Sequence, residues 1–346
     1  MKKIGLVTFY DGINAGGFLQ AFALKSYLEN SKFDYEISFI KNPNKSLFFK
    51  DLMDGVIRKN IFQSFSHIRK GVNFKKKIDK FKISEATEEF DLIIFGSDII
   101  WNFDKYSVED QSFYFGSELI SKNKISYAAS IGHLSDTKTL PGEIINSIQT
   151  FKKISVRDKK TLNFLSNNTN LENIEIVPDP TILIGQDFWK KLSNNSLKNY
   201  PNNFIAVYSY LQNTEDYLEK IKRKNNEKFL SIGYPYKSKK VKTLNFNFLD
   251  PLSWIRIISE SSAMITSTFH GVLFSIILNK PFYYLKNDAS LSKVSFLLSE
   301  LNLTKLIISR PSDLNLELFE EIEWKSINES LEKMSNQGQK FLSGSY

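Results

Sequence analysis

Short apolar runs alternate with longer amphipathic stretches along this chain of 346 residues. The short runs have the length of strands, and the longer ones repeat their apolar positions with the period of a helix. In the first half the predicted strands are 4–9, 35–40, 92–95, 124–128, 153–156 and 174–177, and the clearest helices are 19–28 and 142–151. This alternation is typical of parallel sheets joined by crossover helices.

A polar, asparagine-rich break at residues 193–203 precedes a second region with the same alternation. Its predicted strands are 204–208, 228–232, 263–266 and 281–285, and its predicted helices are 215–225, 251–260 and 271–278. We therefore predict two doubly wound, Rossmann-like α/β domains that face a cleft, at residues 1–192 and 203–320. Residues 45–82 are predicted to form a helical insertion with a basic face, and residues 321–346 a helical segment that packs back.

The composition narrows the class of protein. The chain contains no cysteine, which excludes disulfides and thiolate chemistry. Its net charge of +8 fits an acidic partner, although lysines scattered over a solvated surface are the plainer explanation. No apolar stretch approaches the roughly 18 residues of a membrane span, and the apolar run at 4–10 is too short for a secretory signal. We expect a cytoplasmic protein.

Ligands of such sheets bind at the carboxyl ends of the strands, so the residues that follow each strand are the candidates for a site. After the first strand comes "YDGINAGG", whose glycines allow a ligand to approach the backbone at a helix start. The same glycines also suit a plain tight turn. The candidate residues here are Asn14, Gly16, Gly17 and Gln20.

Two further strand ends carry polar groups in the first half. In "GSDIIWN", Asp98 is suited to bind sugar hydroxyls or to act as a base, and Trp101 to stack on a sugar ring. Alternatively, Asp98 only caps the next helix. Ser97 and Ser130 also follow strands, where small residues suit close packing equally well.

Arg157 ends the predicted strand in "KISVRDKK". A guanidinium held there suits a phosphate or carboxylate, and the alternative is a salt bridge to a carboxylate such as Asp158. Asp179 lies between two prolines, in a rigid turn that favours a structural role over a chemical one.

The stretch "MITSTFHGVLFSIILNKPFYYL" contains His270, one of only three histidines in the chain. It lies where a buried strand passes into a helix. The helix dipole disfavours a cationic histidine there, and a bound anion reverses that preference. A lone histidine is more often structural, but this position favours a functional role together with Ser267, Thr268, Phe269 and Gly271.

Taken in order, these motifs resemble those of the polysaccharide pyruvyl transferase family over residues 4–285. The matching segments are "GxNxGxxLQxxAL" from Gly12 to Leu24, "GSDxxWN" from Gly96 to Asn102, "YAASxG" from Tyr127 to Gly132, "SVRD" from Ser155 to Asp158, "DP" at Asp179, and "FHG" to "KP" from Phe269 to Pro281. Each motif is weak alone, and the ordered set is specific.

The resemblance implies two Rossmann-like domains similar to GT-B glycosyltransferases. It also implies transfer of the pyruvyl group of phosphoenolpyruvate onto two hydroxyls of a saccharide, which forms a cyclic ketal. The saccharide is destined for capsule, exopolysaccharide or cell-wall polymer and is nucleotide-linked or lipid-linked, with peripheral contact at the inner membrane face. No cofactor or metal is implied, since phosphoenolpyruvate is a co-substrate.

The resemblance also implies roles for the candidate residues. His270 shuttles protons, and Asp98 positions or deprotonates the acceptor. Several family members carry an arginine where this chain has Thr268, and Arg157 and Lys280 are the candidates to replace its charge. The expected donor site comprises Arg157, Ser267, Thr268, Phe269, Gly271 and Lys280, and the expected acceptor site Asn14, Gly16, Gly17, Gln20, Ser97, Trp101 and Ser130.

Two other functions remain compatible with the sequence. One is a GT-B glycosyltransferase that uses a nucleotide sugar, and the other is a saccharide-binding member without catalysis, for which Thr268 is the best argument. Nucleic-acid binding is the weakest candidate, because the basic, phenylalanine-rich segment at 74–82 has no recognition motif beside it.

Overall fold

The computed structural model divides the chain into two compact units. The first comprises Met1–Asp51, Lys75–Ile184 and Lys333–Tyr346, and the second Leu52–Phe74 and Gly185–Glu332. The structure describes residues 2–31, 35–43, 46–57, 61–105, 112–117, 119, 121, 123–135, 137–194, 200–224, 228–233, 243–246 and 248–345. Over these residues, no helix combines the length and the apolar character needed to cross a membrane.

The first unit is built on a parallel sheet. Its strands in the described part of the chain are β1 (Lys2–Val7), β2 (Tyr35–Ile40), β3 (Ile83–Ser84), β4 (Leu92–Phe95), β5 (Lys124–Ala129), β6 (Lys153–Val156) and β7 (Glu175–Ile176). They lie in the order β3-β2-β1-β4-β5-β6-β7. The central strand β4 reads Leu-Ile-Ile-Phe and is buried along its whole length, as expected for a parallel strand covered on both faces.

Three helices of the first unit begin at side-chain caps. Asn14 caps α1 by accepting hydrogen bonds from the backbone N–H groups of Gly16 and Gly17. Asp158 caps α5 and Asp179 caps α6 in the same way. Among the described residues, the main helices of the first half of the chain are α1 (Ala15–Glu29), α2 (Leu47–Ile57), α3 (Ile61–Ile78), α4 (Gly142–Ile148), α5 (Lys159–Asn168) and α6 (Pro180–Leu183).

The second unit repeats the same plan. Its described strands are β8 (Phe204–Tyr208), β9 (Lys228–Ile232), β10 (Thr243–Phe246), β11 (Ala263–Thr266), β12 (Phe282–Leu285) and β13 (Ile307–Ile308), in the parallel order β10-β9-β8-β11-β12-β13. The remaining helices are α7 (Gly185–Ser193), α8 (Thr214–Lys224), α9 (Pro251–Glu260), α10 (Phe269–Ile277), α11 (Asp288–Glu300) and α12 (Trp324–Ser343). Trp189 and Trp254 pack edge-on against Phe274, with ring centroids 5.1 and 5.4 Å away, and so join α7 and α9 to α10.

The predicted alternation of strands and helices is confirmed, and the two compact units divide the chain at other residues than the predicted domains. The second unit begins at Gly185 rather than at 203, because α7 packs with α9 and α10. Residues 52–74 of the predicted insertion belong to the second unit, and residues 333–346 pack within the first. Part of the polar break, residues 195–199, lies outside the described residues.

Candidate functional site

In each sheet the strand order reverses at one point, which lies between two adjacent strands. The loops that leave these two strands therefore start next to each other. The reversal falls between β1 and β4 in the first unit and between β8 and β11 in the second. Doubly wound sheets bind ligands at the carboxyl edge next to this point. Asp98 follows β4 and His270 follows β11, so the sequence analysis had placed its two catalytic candidates at the points of reversal.

In the second unit a network of threonines shapes the turn from β11 into α10. The Thr266 hydroxyl donates to the Tyr208 carbonyl (2.8 Å) and accepts the Thr268 N–H (3.1 Å). Thr268 caps α10, since its Oγ1 accepts the Gly271 N–H at 3.0 Å. The polar cluster in this motif therefore ties the turn to β8 as well as to the helix.

Gly271 is required at this turn because there is no room for a side chain. A Cβ at position 271 would lie 2.1 Å from Thr266 Oγ1 and 2.8 Å from Thr268 Oγ1. Van der Waals contact needs well over 3 Å, so the absence of the side chain is what lets α10 start directly over Thr266.

His270 lies in the first turn of α10 and is partly exposed. Its ring packs edge-on to Phe269, with the centroids 5.2 Å apart. The ammonium group of Lys293, on α11, lies 5.7 Å from the centroid of the same Phe269 ring. A positive charge therefore stands beside the helix start that carries His270, and the sequence analysis did not identify Lys293.

Ser267 is fully buried and holds three elements together. Its carbonyl accepts hydrogen bonds from Asn287 Nδ2 (2.9 Å) and Ser290 Oγ (3.1 Å), and its Oγ accepts the Tyr210 N–H (3.3 Å).

Tyr210 is held by the same network, because Asn287 Nδ2 also donates a hydrogen bond to the Tyr210 hydroxyl, and Tyr210 still exposes 46% of its surface. Burial raises the pKa of Tyr210, so its hydroxyl stays protonated at neutral pH. The sequence indicates Tyr210 as a candidate only through its position just after the strand β8.

Lys280 does not lie at this site, contrary to expectation. It precedes β12, and β11 pairs in parallel with β12 through Met264 and Phe282, so Lys280 stands at the amino edge of the sheet. Four residues of β11 separate that edge from Thr268, which is about 13 Å at strand rise. Burial and the neighbouring Lys190 lower the pKa of Lys280.

In the first unit Arg157 is held by carboxylates. Its side chain is buried, with Nη1 2.8 Å from Asp179 Oδ2 and Nη2 3.6 Å from Asp98 Oδ1. Asp179, assigned to a rigid turn from the sequence, is therefore also the main ion-pair partner. The predicted alternative for Arg157, a salt bridge, is confirmed, although its closest partner is Asp179 and not Asp158.

Asp98 keeps a partly exposed carboxylate at the end of β4. Its Oδ1 accepts the N–H of Ile99 at 2.8 Å and faces Arg157. Its Oδ2 lies toward α1, since a Cβ on Gly17 would stand 3.5 Å away. The structure thus brings Asp98, Arg157 and Gly17 together. Exposed Asn14 lies at the start of the same helix, where its side chain serves as the cap.

Four of the expected acceptor residues are buried in the interior, which corrects their predicted role. Trp101 is stacked on Phe115, with ring centroids 5.5 Å apart, and its indole N–H donates to the Tyr114 carbonyl, so no ring face is left for a sugar. The other three are held by internal hydrogen bonds: Ser97 Oγ to the Ala128 carbonyl, Ser130 Oγ to Asp158, and Gln20 Nε2 to Thr8 Oγ1 and the Gly17 carbonyl. Gly16 and Gly17 are buried as well.

A cavity of about 340 Å³ opens near the carboxyl ends of β1 and β2, within the first unit. Its walls include Asp11, Asn42 and the exposed ring of Phe49. Burial raises the pKa of Asp11, and hydrogen bonds from α2, including the Leu47 N–H at 3.1 Å, oppose that rise. The sequence analysis missed this cavity. The sequence feature that points to the cavity is the pair Tyr10 and Asp11, just beyond the first strand.

Metal binding finds no support in the described side chains. No group of three His, Asp or Glu residues among them is arranged to hold a metal ion.

Two Rossmann-like units, each with its polar groups at the point where the strand order reverses, define a GT-B-type fold. Among solved structures, a UDP-GlcNAc 2-epimerase from Neisseria meningitidis bound to UDP-GlcNAc is similar to this chain, with a TM-score of 0.52 and 10% identity over 99% of both chains. Another UDP-N-acetylglucosamine 2-epimerase has a TM-score of 0.51 at 10% identity, over 99% of this chain and 95% of its own. These likenesses show the fold alone.

The sequence identifies the family more narrowly. The profile of the polysaccharide pyruvyl transferase family matches residues 14–289, and the chain belongs to this family of transferases. The resemblance predicted from the motifs is confirmed. No curated protein matches the chain significantly.

Proposed function

We propose that this protein transfers the pyruvyl group of phosphoenolpyruvate onto two hydroxyls of a saccharide and forms a cyclic ketal. The observation that carries the proposal is the start of α10, where partly exposed His270 lies in the first turn of the helix. The ammonium group of Lys293 lies 5.7 Å from the centroid of the neighbouring Phe269 ring. This helix start lies inside the region that matches the family.

The donor has a phosphate and a carboxylate, both of which need positive charge. A helix N-terminus and a lysine supply it without the arginine that other members carry at position 268. Thr268 instead uses its hydroxyl to cap the helix. Lys293 takes over the electrostatic part of the arginine's role in this proposal, and Arg157 and Lys280 do not, because one is paired with Asp179 and the other lies at the opposite edge of its sheet.

The reaction needs protons to move in both directions. The methylene carbon of phosphoenolpyruvate gains a proton, and one sugar hydroxyl adds to the neighbouring carbon as it loses its own. The second hydroxyl then bonds to that carbon and gives up its proton to the departing phosphate, as the bond between the carbon and the phosphate oxygen breaks. His270 is the group that delivers the first proton and accepts one from the acceptor, since an imidazole exchanges protons near neutral pH.

The acceptor belongs to the first unit in this proposal. Asp98 offers a partly exposed carboxylate that Arg157 keeps oriented, and such a group binds or deprotonates a sugar hydroxyl. The cavity lined by Asp11, Asn42 and Phe49 has polar groups and an aromatic face, which together suit a sugar ring. The product is a pyruvylated saccharide for a cell-surface polymer, made in the cytoplasm, where phosphoenolpyruvate is available.

Release of phosphate from phosphoenolpyruvate in the presence of acceptor tests the proposal. His270→Ala should lower the rate at least ~100-fold, because general acid-base catalysis contributes about that much. His133→Ala, which removes an exposed histidine, should keep wild-type activity. Unchanged phosphate release by the His270 variant would refute the assignment.

Thermal unfolding with candidate donors distinguishes the competing functions. A ligand that binds only the native state raises the melting temperature, so phosphoenolpyruvate should raise it and a nucleotide sugar alone should not. Lys293→Ala should abolish the shift, and Lys286→Ala, a change of an exposed lysine after β12, should preserve it. A shift with nucleotide sugar only would favour a glycosyltransferase.

A further inference from the structure

Helices α2 and α3 carry most of the large apolar side chains that are exposed on the described surface of the protein. Over the described residues, eight large hydrophobic side chains are exposed, and five of them belong to these two helices. They are Phe49 and Met53 on α2, and Phe65, Ile68 and Val72 on α3. Exposed apolar residues that cluster on one element mark a surface that binds something.

The three residues on α3 form one continuous face. Phe65, Ile68 and Val72 are spaced three and four residues apart, so they lie along one side of the helix. Phe65 exposes 67% of its surface and Val72 exposes 50%. The other side of the helix is already used, since Phe74 and Ile78 are buried. We call Phe65, Ile68 and Val72 the α3 apolar face.

The surroundings of this face are strongly basic. Helix α3 itself contains five Lys or Arg residues and no Asp or Glu, in a chain with a net charge of +8, and its Lys75 pairs with Asp79 directly after the helix. Arg69 and Lys76 are exposed and, by helical spacing, lie on the same side as the α3 apolar face. The last turn of α3 carries three consecutive lysines, Lys75 to Lys77.

The positive charge on α3 indicates which kind of partner can bind to this surface. A second copy of the chain would bring one basic face against another, and like charges brought together oppose association. A partner surface that is both apolar and negatively charged matches the α3 apolar face and also the positive charges around it. The acyl and headgroup boundary of an anionic bilayer is such a surface, and basic amphipathic helices with exposed phenylalanine bind there.

We propose that α3 docks the protein on an anionic lipid surface. Phe65, Ile68 and Val72 enter the headgroup boundary, while Lys76 contacts lipid phosphates. The Arg69 guanidinium lies over the ring of Phe248, 4.2 Å from its centroid, and adds positive charge beside the face. The helix lies along the surface and does not cross it, in keeping with the absence of a spanning helix among the described residues. This inference concerns binding to a membrane and does not depend on which reaction the protein catalyses.

Co-sedimentation with lipid vesicles tests the inference on the full chain. We expect at least ~10-fold tighter binding to vesicles of phosphatidylglycerol and phosphatidylcholine in equal parts than to phosphatidylcholine alone, with loss of binding at high salt. The triple change Phe65→Ser, Ile68→Ser and Val72→Ser should lower the affinity about 10-fold or more. The matched control is Ile83→Ser, which alters an exposed apolar residue outside the two helices.

Three results would overturn the inference. One is equal binding to both kinds of vesicle, and another is a triple variant that binds as well as the wild type while its melting temperature is unchanged. The third is a wild-type protein that dimerises in sedimentation runs without lipid, combined with a triple variant that stays monomeric. That result would make the α3 apolar face an interface between copies.

Discussion

At the scale of single residues, Thr268 fixes the start of the helix that carries His270. Its hydroxyl accepts the Gly271 N–H, which an arginine side chain has no acceptor to do. Lys293, at 5.7 Å from the Phe269 ring, brings a positive charge to the same helix start. The cap and the charge are therefore supplied by different residues in this member of the family.

The turn that carries His270 should not tolerate a methyl group at Gly271. Gly271→Ala places a Cβ 2.1 Å from Thr266 Oγ1, and Thr266 is fully buried with its hydroxyl bonded to β8. We expect a loss of about 1–3 kcal/mol in the free energy of unfolding, typical of overpacking. Urea denaturation measures it.

The control for this change is another glycine in the first turn of a helix. A Cβ on Gly142 would have no atom within 4 Å, so Gly142→Ala should be neutral or stabilising by up to about 1 kcal/mol. Equal losses in the two variants would show that the contact with Thr266 is not the cause.

At the scale of secondary structure, one carboxylate links a strand to the start of a helix. Asp179 Oδ1 accepts hydrogen bonds from the N–H (3.1 Å) and the hydroxyl (2.8 Å) of Thr181, which caps α6. Its Oδ2 receives Arg157 from the end of β6 at 2.8 Å. The orientation of Arg157 toward Asp98 thus depends on a residue that has no direct part in the proposed chemistry.

Removal of this carboxylate should be costly because the guanidinium is buried. Asp179→Ala leaves Arg157, whose side chain is 3% exposed, without its nearest carboxylate, and we expect a loss of about 3–5 kcal/mol in stability. Asp104→Ala breaks an exposed ion pair with Lys138 and should cost about 1 kcal/mol or less. Chemical denaturation compares the two, and similar costs would contradict the structural role.

At the scale of the whole molecule, the last residues of the chain complete the core of the first unit. Phe341 and Leu342, at the end of α12, are buried there. The Phe341 ring lies 6.2 Å from that of Tyr127, and Gly338 runs so close that a Cβ would stand 2.4 Å from the Tyr127 hydroxyl. The core of the first unit therefore includes side chains from the second half of α12.

Phe341→Ala should accordingly destabilise the first unit by about 3–5 kcal/mol, as expected for loss of a buried aromatic ring. Asn336→Ala, an exposed position on the same helix, should change stability by less than about 0.5 kcal/mol. Hydrogen exchange should show the loss of protection in β5 and β6 in particular. Uniform loss across both sheets would contradict a role confined to the first unit.

The strands were the part of the fold that local patterning predicted best. β2, β4, β6, β8, β9 and β11 match the predicted bounds at both ends. Each is a short apolar run, and a parallel strand covered on both faces has to be apolar throughout. β13 has two residues and β3 has two, too few to form a recognisable run, so the sequence analysis missed both.

The candidate site was only partly predictable from sequence. That Asp98, Arg157 and His270 end strands could be read from the apolar runs before them, because a strand end is a local feature. Three features depend on which distant segments of the chain pair with each other. They are the position of Lys280, the ion-pair partner of Arg157 and the burial of Trp101. Local periodicity specifies which runs form buried strands. The burial of a loop residue such as Trp101 and the partners of a buried side chain come from strand order and packing across the whole chain, and only the tertiary structure supplies those.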